Sequence, residues 1–403
     1  MDAPHQGRYD HAAMAEPLPL RDPTANSATE TTAGPSAAEA GGILTIDLGA
    51  LAANWQLLVS KVTPSECAAV IKADGYGCGI TQVGRALAQA GCRTFFVADL
   101  AEARRLREVV PDHAIYVLNG LMPNTGQGYA ETKARPVIGS LVELAEWDAF
   151  CATHGWRGGA ALHVDTGMNR LGISPEEAAA LAPRIRAGNH GITLLMSHLV
   201  AAEIPDSPLN EKQIKLFREV RVLYRGIPSS LSNSSGIFLG GAAHCDVVRP
   251  GAALYGINPT PGRPNPMRPV VQLQARIVHV RHVARGETVG YDATWTARRT
   301  SRIAVAALGY ADGFPRSLSA SDERPGAEAI VAGTRCPLAG RISMDLLEID
   351  ITELPDGVGR RGDLATLIGG GNDADTVGDT AGTIGYEVLT RLGHRYHRIY
   401  RAS

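Results

Sequence analysis

Five lysines are spread over the 403 residues, and one of them, Lys72, follows directly on an apolar run in CAAVIKADGYGCG. The run from Cys67 to Ile71 reads as a strand, so Lys72 stands where a strand ends and a glycine-rich turn begins. An amine delivered to the end of a buried strand is costly to desolvate and is pushed toward its neutral, nucleophilic form. That form is what a Schiff base with an aldehyde cofactor requires. Other chemistry-bearing residues also close apolar runs: Tyr76 after CAAVI, His163, Asp165 and Arg170 in ALHVDTGMNRLG, and His198 in LLMSH. Asn233 and Ser234 follow in LSNSSG, then Arg249 and Gly251 in VVRPG. The turns SNSSG and RPGA combine hydroxyls with a glycine that permits close backbone approach, which suits a phosphate dianion. A small molecule carrying both an aldehyde and a phosphate, pyridoxal 5'-phosphate, satisfies both demands.

These residues converge only if the runs that carry them are neighbouring strands. The runs CAAVIK, RTFFVAD, AIYVLNG, RPVIGS, GAALHVDT, TLLMSHL, SSLSNS and DVVRPG alternate with helical stretches. Ile80–Gly91, Ala101–Val109, Ser140–Thr153, Pro175–Ala187 and Asn210–Tyr224 are the candidate helices. Eight strands with mostly helical connectors predict a (β/α)8 TIM-like barrel, whose active site lies at the C-terminal strand ends. The proline-dense segment PTPGRPNPMRP reads as a linker. Beyond it the pattern is strands and turns, with Val270–Ala284, Ile303–Leu308, Glu328–Val331 and Leu346–Ile351 as the main strands. The expected organisation is a disordered tail over 1–41, a barrel over 42–266 that binds the cofactor, and a smaller, mainly β domain over 267–403.

Composition narrows the function. Hydrophobic residues make up 44% and charged residues 20%, as in a globular protein with a large core. A net charge of -2 without a basic, aromatic-interleaved stretch argues against nucleic-acid binding. No apolar span is long enough to cross a bilayer, and the first residues lack a basic-then-apolar export signal, so a cytoplasmic location is expected. Six cysteines without paired spacing read as free thiols, with no metal site.

AVIKADGYGCG resembles the cofactor-lysine motif of alanine racemases, which are fold-type III pyridoxal-phosphate enzymes. The likeness runs in order through HVDTGMNRLGI, MSHL, SNSSG, VRPGAALYGINP, VGYDATWTA, LGYADGFPR, GRISMD and TIGYEVLTRLGHRYHRIY, from residue 43 to about 400. The resemblance implies that Lys72 carries the cofactor and acts as one of two acid/base groups. Tyr291 would be the other, supplied by the second subunit of a head-to-tail homodimer with shared active sites. Two bases on opposite sides of a planar carbanion can interconvert L- and D-alanine without turning the intermediate over. Arg249 would face the pyridine nitrogen, where a permanent cation disfavours ring protonation, with His198 linked to it. Tyr76, Ser234, Gly251, Ala252 and Tyr386 would hold the phosphate. Arg170 and the Met344 backbone N–H would hold the substrate carboxylate. The family role implied is supply of D-alanine for peptidoglycan.

One position departs from the family. Where many members have a lysine, often carbamylated, this chain has His163. A neutral imidazole cannot supply that negative charge, so Arg170 is left to a bound anion such as chloride, to Asp165, or to weaker anchoring. A racemase of broader specificity, acting for instance on serine, stays open because pocket width is not legible here. A non-catalytic pyridoxal-phosphate carrier on the same barrel is disfavoured, since such proteins lack the β domain that brings Tyr291 and Met344.

Overall fold

The computed structural model describes residues 30–186 and 191–402. All eight apolar runs contribute strands: Glu66–Cys67 with Ala69–Val70, then Thr94–Val97, Ala114–Val117, Arg135–Ile138, Ala160–His163, Ile192–Met196, Ser229–Ser230 and Val247–Val248. From Ala69–Val70 to Ser229–Ser230 the strands lie side by side in chain order, all parallel. Val247–Val248 pairs with Glu66–Cys67, and the Asp246 and Arg249 N–H groups donate to the Ser229 and Ser232 carbonyls, so the sheet closes into a barrel. Side chains at alternate positions sort to its two faces. Ala68, Val70, Phe96, Tyr116, Val137, Ala161, Leu194, Met196 and Val247 form an inner cluster. Ala69, Phe95, Val97, Leu162 and Leu195 join the larger core shared with the helices.

The connecting helices run Ile80–Ala90, Leu100–Arg107, Gly126–Thr132, Leu141–His154, Pro175–Arg186 and Pro208–Leu223. Their ends have local causes. Asp99 and Ser140 accept the N–H of the residue three further on, capping Leu100–Arg107 and Leu141–His154. Gly91, at φ 111°, ends Ile80–Ala90 in the left-handed region that a side chain disfavours.

Two expectations about domain limits need correction. Gly42–Asp47, taken as the start of the barrel segment 42–266, is a central strand of the other domain's sheet, between Val271–Val283 and His397–Arg401. Its Ile43, Leu44, Thr45 and Ile46 are buried in succession, as a strand covered on both faces requires. Of the expected tail 1–41, residues 1–29 lie outside the described residues, whereas Glu30–Ala33 is an edge strand antiparallel to His397–Arg401. The sheet continues through Leu364–Ile368, Glu328–Val331 and Thr334–Pro337, while Ser301–Ala306 pairs with the far half of the long strand and Leu347–Asp350 pairs in turn with Ser301–Ala306. Two helices, Ala374–Ala381 and Gly385–Thr390, return from this domain toward the barrel. No described helix is long and apolar enough to cross a membrane.

Candidate active site

A cavity of about 520 Å³ opens at the C-terminal ends of the barrel strands. Lys72, Tyr76, Arg170, His198, Ser234, Arg249, Gly251, Ala252 and Tyr386, all expected from sequence, line it together. Tyr291 and Met344 do not line it; they lie on the β domain, 64% and 54% exposed.

Lys72 stands on the rim, exposed to the cavity, just past the end of the strand as its place in the sequence implies. The strand stops at Val70, so the lysine belongs to the turn beyond it. That turn is left-handed: Ala73, Asp74, Gly75, Tyr76 and Gly77 have φ of 54°, 53°, 64°, 52° and 78°. Each non-glycine residue held there costs roughly 1–2 kcal/mol, so other contacts must hold it. Glu102 does so through one oxygen on the Asp74 N–H and the other on the Ala98 N–H. Asp74 accepts from the Ile80 N–H, and buried Arg398 donates to the Gly77 carbonyl. The Lys72 pKa is lowered, first by loss of solvent and then by Arg170, which leaves more of the amine neutral.

Arg249 is buried across the cavity with no carboxylate among its partners. It donates to the Ser230 hydroxyl at 2.5 Å, the Ser197 carbonyl at 2.6 Å and His198 Nδ1 at 3.3 Å. Burial lowers its pKa to about 10, so the guanidinium stays charged near neutrality. An Nδ1 that accepts from Arg249 leaves the neutral His198 ring its proton on Nε2. Burial and then Arg249 bring His198 down to about 3, and the same two causes bring His163 down to about 4. The lining carries three cationic side chains, Lys72, Arg170 and Arg249, and no aspartate or glutamate. Such a wall suits a ligand bearing phosphate and carboxylate.

At the opposite turns, the Ser234 hydroxyl accepts the N–H groups of Gly251 and Ala253, which ties the two small-residue turns together. A Cβ at Gly251 would overlap the hydroxyl of Tyr76, whose ring stacks on Tyr255 at 4.6 Å. Tyr386 reaches the cavity from Gly385–Thr390, and its hydroxyl donates to Glu203 at 2.8 Å. Asp165 turns both oxygens to the N–H groups of Gly167, Met168 and Asn169, each at 2.8 Å, so it shapes that loop instead of pairing with Arg170. Asn119, also in the lining, went unselected, although it ends the run AIYVLNG as the selected residues end theirs.

A profile of the alanine racemase N-terminal domain matches residues 46–259, and one of the C-terminal domain matches 270–400. The chain belongs to the alanine racemase family. It is 56% identical to the alanine racemase of Methylobacterium nodulans over 360 residues, 89% of this chain and 96% of the relative. A catabolic alanine racemase of Mesorhizobium japonicum is 46% identical (91% and 94% covered) and a biosynthetic one of Agrobacterium fabrum 44% (89% and 93%), so identity does not separate the two roles. Among solved structures, the alanine racemase of Bartonella henselae, with covalently bound pyridoxal phosphate, superposes with a TM-score of 0.84 at 38% identity. That match covers 90% of this chain and 100% of the other.

Proposed function

We propose that the chain interconverts L- and D-alanine, with Lys72 and Tyr291 of the partner subunit as the two acid–base groups. One observation carries this reading: a rim lysine, a buried carboxylate-free arginine and two small-residue turns share one cavity without an acid in its lining. Pyridoxal phosphate, when bound, supplies an aldehyde for an amine and a conjugated ring that withdraws electrons from the substrate Cα. Lys72 would hold its aldehyde end, and Tyr76, Ser234, Gly251, Ala252 and Tyr386 its phosphate. Arg249 would lie toward the ring nitrogen. As a fixed cation it disfavours protonation there, limits delocalisation of charge into the ring and so favours return of the proton to Cα.

Inversion needs a proton taken from one face of Cα and another delivered to the opposite face. Lys72, with its lowered pKa, serves one face. Tyr291 of the same chain does not line this cavity and stands 64% exposed on the β domain. A homodimer that docks the Tyr291 and Met344 surface over the partner's cavity would complete the site. Arg170 and the Met344 N–H would then hold the substrate carboxylate. We place the enzyme in the cytoplasm, supplying D-alanine for peptidoglycan.

Purified protein should show the absorption band of bound pyridoxal phosphate, borohydride should fix the cofactor onto Lys72, and L-alanine should racemise. Absence of the band sinks the cofactor assignment. Racemisation of another amino acid while alanine stays optically pure sinks the substrate.

A further inference from the structure

We propose that Gln213, on the outer helix Pro208–Leu223, is a positioning residue that sets the Arg249–His198 pair through the loop following Ile192–Met196. This role rests on the reading of that pair as the cofactor's neighbours. Gln213 shares a buried helical stripe with Phe217 and Val220, where an apolar side chain would complete the packing. Instead an amide, 2% exposed, uses both of its polar ends inward. Its Nε2 donates to the His198 carbonyl at 2.9 Å and to the Thr166 hydroxyl at 3.1 Å, and its Oε1 accepts the Val200 N–H at 2.9 Å.

The Thr166 hydroxyl is in turn 2.7 Å from that of Ser197, and both residues are buried. Ser197 and His198 are the two residues of this loop that Arg249 bonds, one through its carbonyl and the other through its ring. One side chain therefore holds His198 and Val200 directly and Ser197 through Thr166. A guanidinium is planar, so moving either acceptor re-aims the whole group. Of Gln213, Thr166, Ser197, His198 and Val200, only His198 lines the cavity, which separates aiming the arginine from contacting substrate.

Two variants remove the contacts: Gln213→Met keeps the volume, and Gln213→Glu keeps the Val200 acceptor but loses both donations. The full chain with its cofactor should lose about tenfold to a hundredfold in kcat, as misaimed groups do, with KM for alanine little changed. The second readout needs no turnover. Arg249, Arg170, His163 and Lys72 are the charged or titratable groups facing His198. In 15N-histidine NMR, with cofactor and after its removal, the His198 titration should move up by about one unit or more in the uncharged variant Gln213→Met as Arg249 swings away. A lowered melting temperature with kcat per folded molecule and the His198 titration unchanged would overturn the proposal. Should Gln213→Met fail to fold, Thr166→Val breaks the arm to Ser197 and must move the same two readouts. A parent protein that does not racemise alanine, while its variants still shift His198, supports the positioning role and defeats only the assigned activity.

Discussion

Arg398, on the strand His397–Arg401, donates to the carbonyl of Gly77 at 2.7 Å and so closes the left-handed turn that begins after Lys72. Its second nitrogen donates to the Gly393 carbonyl at 2.9 Å. A β-domain residue thereby holds the far end of the barrel turn that begins after Lys72. Arg398→Met should cost about 1.5–3 kcal/mol, the worth of a charge-assisted bond lost from a buried site. Thermal denaturation measures the loss, and cofactor release should speed up in parallel. Unchanged release from a destabilised protein would separate the clamp from the site.

Gly251→Ala tests the phosphate side. The added methyl meets the Tyr76 hydroxyl, and overpacking of this kind costs about 1–3 kcal/mol. Cofactor affinity, titrated by fluorescence, should fall by a factor of about 5 to 100 if Tyr76 yields. A larger effect on folding than on affinity would show that the strain spreads into the Tyr76–Tyr255 stack instead.

The two histidines of the cavity fix a pH dependence. His198 and His163 are held near 3 and 4 by burial and by Arg249, far below an ordinary imidazole. As pH falls below about 6.5, unfolded chains take up protons that the folded protein refuses. Their contribution to stability is complete above that pH and is lost progressively down to pH 3–4. Chemical denaturation between pH 7 and 4.5 should reveal proton uptake on unfolding, and His163→Gln should remove part of it. The same shifts imply no imidazole step near neutrality in the rate profile.

Mixing two inactive proteins, Lys72→Ala and Tyr291→Phe, tests whether the site is shared. In a hybrid dimer one site receives both native residues, so a random equal mixture should regain about one quarter of the parent activity. No recovery after subunit exchange would remove Tyr291 as the second base.

The barrel is legible because its strands are apolar runs that each end in a polar residue, and Lys72 because its motif is contiguous. The strand Gly42–Asp47 is recognisable, but its partners are not. Burial on both faces says only that something covers it, and its neighbours lie far along the chain. Gln213 and Arg398 are hidden for a related reason. A polar residue in a helix or strand pattern reads as solvent-facing until the fold turns it inward. Tyr386 shows a further limit: a motif places it at the cavity, but only coordinates reveal its hydroxyl on Glu203.

The pairing of Gly42–Asp47 with His397–Arg401 also orders events during synthesis. All eight barrel strands leave the ribosome before the strand that carries Arg398 exists. The early strand Gly42–Asp47 must therefore wait, with two of its edges unpaired, until Val271–Val283 and then His397–Arg401 emerge. Until that late strand docks, the turn after Lys72 lacks its clamp. The turn after Lys72 thus gains its Arg398 contact only once the β domain is complete, whereas its Glu102 contacts lie within the barrel itself.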